Sequence, residues 1–305
     1  MCCLFGFVDC AGSLSVKQKN RLIRELSIAA EARGTDATGI AYNTSRGLQI
    51  YKRPLAAHRL HLRIPAETHV VLGHTRMATQ GSSKKNYNNH PFAGRVKGKS
   101  FALAHNGVIW NDLELRRTKH LPRTKVQTDS YIAIQLIEQQ KVLNLSSLKC
   151  MAEQVEGSFS FSVLSEQDEL WLVKGDNPLT IVRFPAVGAF VYASTAEILN
   201  KALARCGNWL GRGEKVDIAM GDIVKIDRNG RITRGTFDAS KFYRSSWGYW
   251  DTPLYPKAPH SKEEHLALLK SVAKSFGFTS EMIDRLLDQG FTTIEIEELL
   301  YDGGY

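Results

Sequence analysis

Cys2, directly behind Met1 in the run Met1-Cys2-Cys3-Leu4-Phe5-Gly6-Phe7, combines a reactive side chain with a reactive position. Removal of Met1 places a thiol and a free α-amine on one residue, a nucleophile with its own base. An unperturbed α-amine titrates at roughly 7.7 to 8.0 and a thiol at about 8.5, so near neutral pH the amine takes the thiol proton at little cost. The residue also suits the start of a buried strand, since cysteine behaves as a small hydrophobe and Leu4, Phe5 and Phe7 are apolar. Three further segments supply polar groups of the right type. Gly73-His74-Thr75-Arg76-Met77-Ala78-Thr79-Gln80-Gly81 presents an arginine, whose planar fork donates two parallel hydrogen bonds to a carboxylate. His105-Asn106-Gly107 offers an amide NH₂ and a glycine N–H that can point at one developing oxyanion, although Asn-Gly is equally a hairpin signal. Thr128-Asp129-Ser130 opens a helix, where Asp129 is either a first-turn acid favoured by the helix dipole or a holder of a substrate ammonium.

Elements with short, turn-punctuated apolar runs must position these groups. Leu4–Val8, Gly39–Tyr42, Leu48–Lys52, Val70–His74, Phe101–His105, Ser158–Leu164, Glu169–Val173, Ala189–Tyr192 and Asp222–Ile226 read as strands. Helical spacing of Leu22, Ile23, Leu26 and Ile28 predicts a helix over 16–32, and Ile132, Leu136 and Ile137 predict another over 128–140. Clustered strands with helices between the clusters argue for a layered α+β body rather than strict βαβ alternation. Residues 241–260, with Pro253, Pro256 and Pro259 among aromatics, read as a linker or strap. Over 261–305, the capping-box spacings Ser261/Glu264 and Thr292/Glu295 bracket Met282, Ile283, Leu286 and Leu287, which predicts a small module of three short helices.

The 305 residues are 43% apolar and 23% charged, room for one large domain plus something small. No apolar run approaches the ~18 residues of a membrane span, and the N-terminus lacks the pattern of a signal peptide, so a cytoplasmic, membrane-free protein is expected. Five cysteines without a CxxC pair predict free thiols, with Cys150 and Cys206 in the core. His58 and His61 lack the companions of a zinc site, so no metal is expected. The net charge of +9 is uneven: residues 251–305 carry ten acids and five bases, residues 1–250 carry 35 bases and 21 acids. The basic clusters at Lys84 to Lys99 and Arg116 to Lys125 come without a nucleic-acid motif, so a solvated face is expected there rather than nucleic-acid binding.

Taken in order, Cys2, Arg33-Gly34-Thr35-Asp36-Ala37-Thr38-Gly39-Ile40, Gly73-His74-Thr75-Arg76, Asn89-His90-Pro91, His105-Asn106-Gly107 and Thr128-Asp129-Ser130 resemble the class II glutamine amidotransferase domain of the N-terminal nucleophile hydrolase superfamily. Lys174-Gly175-Asp176-Asn177-Pro178-Leu179 and Gly221-Asp222-Ile223-Val224 continue the likeness, which spans residues 2–240. The resemblance implies a four-layer αββα sandwich and no cofactor. It implies that Cys2 attacks the glutamine side-chain amide through a thioester, with Asn106 and Gly107 stabilising the oxyanion. It further implies that Arg76 holds the α-carboxylate, Asp129 the α-ammonium, that Met77 and Thr79 line the pocket, and that Arg33 supports the nucleophile strand. Cys3 in place of a usual glycine, Met77 and Gln80 in place of tryptophan and histidine, and Ala37 in place of serine depart from the family pattern.

No ammonia-accepting synthase domain fits into the remaining 65 residues, so the resemblance implies a separate synthase subunit as acceptor. A γ-glutamyl or other amide is the alternative substrate, with ammonia not the useful product. A non-catalytic binding protein on the same fold is a third reading, favoured if Met1 is retained.

Overall fold

The computed structural model describes residues 2–240, 242, 266, 270, 273, 278–289 and 296. By contacts the chain divides into Met1–Phe242 and Tyr243–Tyr305. In the first unit the strands are β1 (Cys3–Asp9), β2 (Ala37–Thr44), β3 (Gly47–Arg53), β4 (Val70–Arg76), β5 (Phe92–Val96), β6 (Lys99–Ile109), β7 (Gly157–Ser165), β8 (Leu170–Lys174), β9 (Thr180–Phe184), β10 (Ala189–Ala193), β11 (Glu214–Val216), β12 (Asp222–Ile226) and β13 (Ile232–Thr236). Among the described residues they form two antiparallel sheets, β11-β9-β10-β1-β4-β2-β3 and β13-β12-β8-β7-β6-β5.

Strand parity divides the apolar residues among three cores. In β1, Cys3, Phe5 and Phe7 face a core that also holds Leu22, Ile23 and Leu26 of helix α1 (Val16–Ala29) and Ile198, Leu199 and Ala202 of a later helix, Ala196–Cys206. Leu4 and Val8 point the other way, into a core shared with Leu72 of β4, Ala102 and Ala104 of β6, and Leu170 and Leu172 of β8. On the far side of the second sheet, Phe101, Leu103, Phe159, Phe161 and Val173 pack on Ile132, Leu136, Leu148 and Met151. Those last four belong to helices Tyr131–Gln139 and Leu145–Gln154. In chain order after α1 come α2 (Asp112–Thr118), α3 (Tyr131–Gln139), α4 (Leu145–Gln154) and α5 (Ala196–Cys206). The layers are therefore α1 and α5, first sheet, second sheet, α3 and α4: the αββα sandwich. The central strands are buried on both faces: β1 reads as a near-continuous apolar run, whereas β7 alternates small Ser with Phe before ending in Val163 and Leu164. Each fully buried Phe or Leu contributes roughly 1.5–3 kcal/mol to that packing.

The expected strands are all present, but some boundaries and elements differ. The helix expected over 16–32 ends at Ala29, and Ala30–Arg33 forms a tighter 3₁₀ turn that carries Arg33 back toward Cys2. Its start is fixed by a reciprocal capping box between Ser15 and Gln18. The helix expected over 128–140 starts at Tyr131. Helices α2, α4 and α5 and strands β5, β9, β11 and β13 add to the expected set. Cys206 is buried, whereas Cys150 is only half-buried on the outer face of α4, a correction to the expected core position.

In the second unit, α6 (Ser280–Asp288) is capped by Thr279, whose side chain accepts from Met282 N. Ile283 is buried with Ala273 and Ile296, while Leu286 and Leu287 are half-buried beside them. Of the helices expected from Ser261 and Thr292, only Leu266, Lys270, Ala273 and Ile296 are described, each in helical conformation, and the linker apart from Phe242 lies outside the described residues. Among the described residues no helix is long and apolar enough to cross a membrane.

Candidate active site

Three strands deliver the polar groups to one end of the gap between the sheets. In β1 the even positions Leu4 and Val8 face that gap, so Cys2, one step before the strand, follows the same parity. In β4, Val70 and Leu72 face it, and His74 and Arg76 continue the series; in β6, Ala102 and Ala104 lead to Asn106. Cys3 pairs with Thr75, which sets Cys2 beside the end of β4. His74 Nε2 donates to His105 O at 2.9 Å and ties the two sheets together behind the site.

Cys2 is half-buried, its Sγ 3.5 Å from Met77 O. Burial pushes its thiol above the ordinary value, the Arg76 charge pulls it back, and the Asp129 carboxylate adds to the rise. The antiparallel register that pairs Cys3 with Thr75 brings Arg76 to the position opposite Cys2. Arg33 Nε donates to Cys2 O at 3.0 Å, holding the Cys2 backbone.

Arg76 is 2% exposed. Its Nη1 donates to Asn89 Oδ1 at 2.7 Å, and its Nη2 to Gln80 O at 2.6 Å and Gly81 O at 2.8 Å. This fixes the guanidinium and ties it to the Met77–Gln80 loop, with part of the donor fork left for a carboxylate. Asp36 holds the same loop: its N–H donates to Arg76 O at 2.9 Å and its Oδ2 accepts from Ala78 N at 2.8 Å. Met77 and Thr79 are exposed on this loop.

Asn106 is fully buried, and its carbonyl accepts from Asn177 Nδ2 at 3.1 Å. Its side-chain Nδ2 lies 3.4 Å from Ser194 Oγ, and its Oδ1 has no partner among the described residues. Gly107 follows at φ +144°, and a Cβ there would meet Ser158 O at 1.8 Å, so only glycine fits. Asp129 is buried, with Oδ2 accepting from Ile109 N at 2.6 Å and Oδ1 from the Ser130 hydroxyl at 3.3 Å. The site thus brings together a thiol, a cationic fork, an amide and a fixed carboxylate. Such a set has the chemistry to bind an amino-acid head and to polarise an amide carbonyl next to sulfur.

Asn89 and Ser194 were not singled out as site residues by sequence. Asn89 sits in the Asn-His-Pro segment, and its contact with Arg76 depends on a 13-residue loop returning to the strand end. Ser194-Thr195 looks like a helix cap, and Thr195 does cap α5, which hides the role of its neighbour. Among the described residues no group of three or more His, Cys, Asp or Glu could hold a metal.

A family profile described as "Glutamine amidotransferase domain" matches residues 74–201, a span that includes Arg76, Met77, Thr79, Asn106, Gly107 and Asp129 but not Cys2. The chain is 32% identical over 190 residues to the glutamine--fructose-6-phosphate aminotransferase of Bacillus cereus, covering 59% of this chain and 30% of that protein. It is 31% identical over 194 residues to that of Sulfurisphaera tokodaii, covering 59% and 31%. The chain therefore spans about a third of the length of these relatives. Among solved structures, the fold superposes on the glutamine phosphoribosylpyrophosphate amidotransferase of B. subtilis with a TM-score of 0.60 at 19% identity, over 77% of this chain and 49% of that one.

Proposed function

We propose, for a chain that carries a glutamine amidotransferase domain on an N-terminal nucleophile hydrolase fold, that it hydrolyses the side-chain amide of glutamine and releases ammonia for a separate synthase subunit. The observation that carries this reading is that Cys2 lies at the start of β1 beside Arg76 at the end of β4, that Ser194 links Leu4 of β1 to Asn106 of β6, and that Asp129 accepts from the Ile109 N–H of β6.

Excision of Met1 frees the Cys2 α-amine, which takes the thiol proton as Sγ attacks the amide carbon. Desolvation raises the thiol pKa, so an adjacent base that takes the proton favours the attack. As C–S forms, the carbonyl oxygen becomes an oxyanion facing Asn106 and the Gly107 N–H. The amine returns the proton to the leaving nitrogen, C–N breaks, ammonia departs and a thioester remains. Water, deprotonated by the same amine, then releases glutamate and restores the thiol. Arg76 takes the α-carboxylate, Asp129 the α-ammonium, and Met77 and Thr79 close over the side chain. Arg33 holds the Cys2 backbone during both attacks.

The exposure of Met77, Ala78, Thr79 and Gln80 supports a second substrate, a γ-glutamyl amide larger than glutamine. Five free thiols fit a reducing, cytoplasmic setting. The test is intact mass before and after treatment with diazo-oxo-norleucine, followed by ammonia release from glutamine and from γ-glutamyl amides. The expected result is a mass lacking Met1 and one adduct that Cys2→Ala abolishes, together with glutamine turnover. Retained Met1 without an adduct overturns the reading; an adduct with turnover only of γ-glutamyl amides moves the substrate to the second class.

A further inference from the structure

Resting on the reading of Asn106 as an oxyanion donor, we infer that Ser194 is the positioning residue for that amide: its hydroxyl holds Asn106 Oδ1 and turns the NH₂ toward Cys2. Ser194 directly follows β10 and is fully buried. Its N–H donates to Leu4 O at 2.9 Å, and its Oγ accepts from Leu4 N at 2.8 Å. Leu4 is two residues from Cys2. The same Oγ lies 3.4 Å from the Asn106 side-chain amide on the opposite sheet. One residue therefore grips the nucleophile strand by both backbone groups and touches the oxyanion residue.

Hydrogen-bond accounting sets the direction of that last contact. A hydroxyl offers one donor and two acceptor positions, and the Leu4 N–H occupies an acceptor position. With Nδ2 turned toward Ser194 the hydroxyl accepts a second time. In that arrangement Asn106 Oδ1 is buried without a partner among the described residues. An unmade bond at a buried carbonyl is costly. Rotation of the amide by 180° about χ2 exchanges two groups of nearly the same shape. The Ser194 hydroxyl then donates to Oδ1 while still accepting from Leu4. The NH₂ takes the unpartnered position, where a substrate oxygen accepts from it. Ser194 thus sets nucleophile and oxyanion donor in one frame without touching substrate.

The test is a double-mutant cycle on glutamine turnover in the full chain, comparing wild type, Ser194→Ala, Asn106→Ala and the double variant. Removing one oxyanion donor costs roughly 10²- to 10³-fold in turnover. Ser194→Ala, which leaves the donor present but unaimed, is expected to lower kcat by about 10- to 100-fold. KM is expected to stay within about threefold, since Arg76 and Asp129 are untouched. In the Asn106→Ala background, Ser194→Ala is expected to add less than about twofold, because a residue acting through Asn106 has nothing left to act on. The same kcat loss in both backgrounds overturns the inference and leaves Ser194 as a support for Leu4. If Ser194→Ala does not fold, Ser194→Cys, which keeps the volume and weakens the hydrogen bond, takes its place in the cycle. A wild type that turns over no glutamine defeats the amidotransferase reading instead. The Ser194 arrangement is then read from the Asn106 side-chain NH₂ by NMR: weak Overhauser contacts to the Ser194 β-protons support it, and strong ones overturn it.

Discussion

Cys2 occupies a place that makes its thiol a weak acid and its neighbours decisive. Burial raises the pKa, and it is partly offset first by the contact with the Met77 backbone and then by the charge of Arg76, the side chain proposed to take the substrate carboxylate. A carboxylate bound to Arg76 screens that offset, so ionisation of the thiol without a base becomes harder once substrate is bound. Arg76 in turn is held by Asn89 and by the carbonyls of Gln80 and Gly81. Lysine keeps the charge but cannot serve these acceptors and a carboxylate at once. Arg76→Lys is therefore expected to raise KM for glutamine by about 10- to 100-fold, the equivalent of one charge-assisted hydrogen bond, with a smaller change in kcat. Steady-state kinetics on glutamine check this; an unchanged KM removes Arg76 from substrate binding. Asp129 is equally constrained, since its Oδ2 is committed to the N–H of Ile109 at the end of β6, which fixes the carboxylate relative to Gly107 on the same strand.

At the scale of elements, what was legible in the sequence is what depends on local pattern. β1, β4, β6 and β7 are buried on both faces over most of their length, each contains an apolar run or an alternation of Ser with Phe that marks a strand, and each lies close to its expected position. β9 and β13 are short, half-exposed and interrupted by charge, as at Arg183 and Arg234, so their pairing comes from neighbours rather than from their own pattern. The same division holds for the site. Arg76 and Asn106 sit in segments that announce themselves, whereas Asn89 and Ser194 act across 13 and 88 residues of sequence and show no local sign. Gly34 illustrates a contact that joins both levels. Its backbone is extended, and a Cβ there would stand 2.4 Å from Arg76 C and 2.6 Å from Met77 N, against backbone rather than a movable side chain. Gly34→Ala must push the end of β4 away from the turn that carries Arg33. A stability loss of about 1–3 kcal/mol is expected from such overpacking, together with a rise in KM, because Arg76 and the Met77 loop move as one. Urea denaturation and glutamine kinetics on the same preparation check both; a stable variant with altered kinetics still supports the coupling, and an unaffected one refutes it.

Across the whole first unit, the two sheets are joined behind the site by buried histidines. His74 reaches from β4 to the carbonyl of His105 on β6, the His74 and His90 rings stand 4.2 Å apart, and His105 stacks on Phe161 at 4.7 Å. Both His90 nitrogens, His74 Nδ1 and His105 Nε2 have no partner among the described residues. Burial lowers the pKa of all three, with His74 at about 3. Arg76 and Lys52 face His74 and His90 and oppose a further positive charge, while Asp129 and Asp176 moderate the shift at His105. The folded protein therefore binds fewer protons here than the unfolded chain, whose histidines titrate near 6.5. Stability must then rise with pH across this window and fall as pH drops below about 6.5, by up to about 1.4 kcal/mol per pH unit for each histidine. Most carboxylates change charge below this range, and since burial raises Asp112 and Glu138 toward it, the histidine contribution is read as the difference between wild type and a histidine variant. His90→Phe keeps an aromatic ring against His74 and Phe92 and removes one titrating group. Urea unfolding from pH 7 to 5 is expected to show a steep loss of stability in the wild type and a slope shallower by up to about 1.4 kcal/mol per pH unit in the variant. An identical slope in both proteins would mean that His90 takes up its proton over the same pH range folded and unfolded, and that the gap between the sheets is open to water at that point.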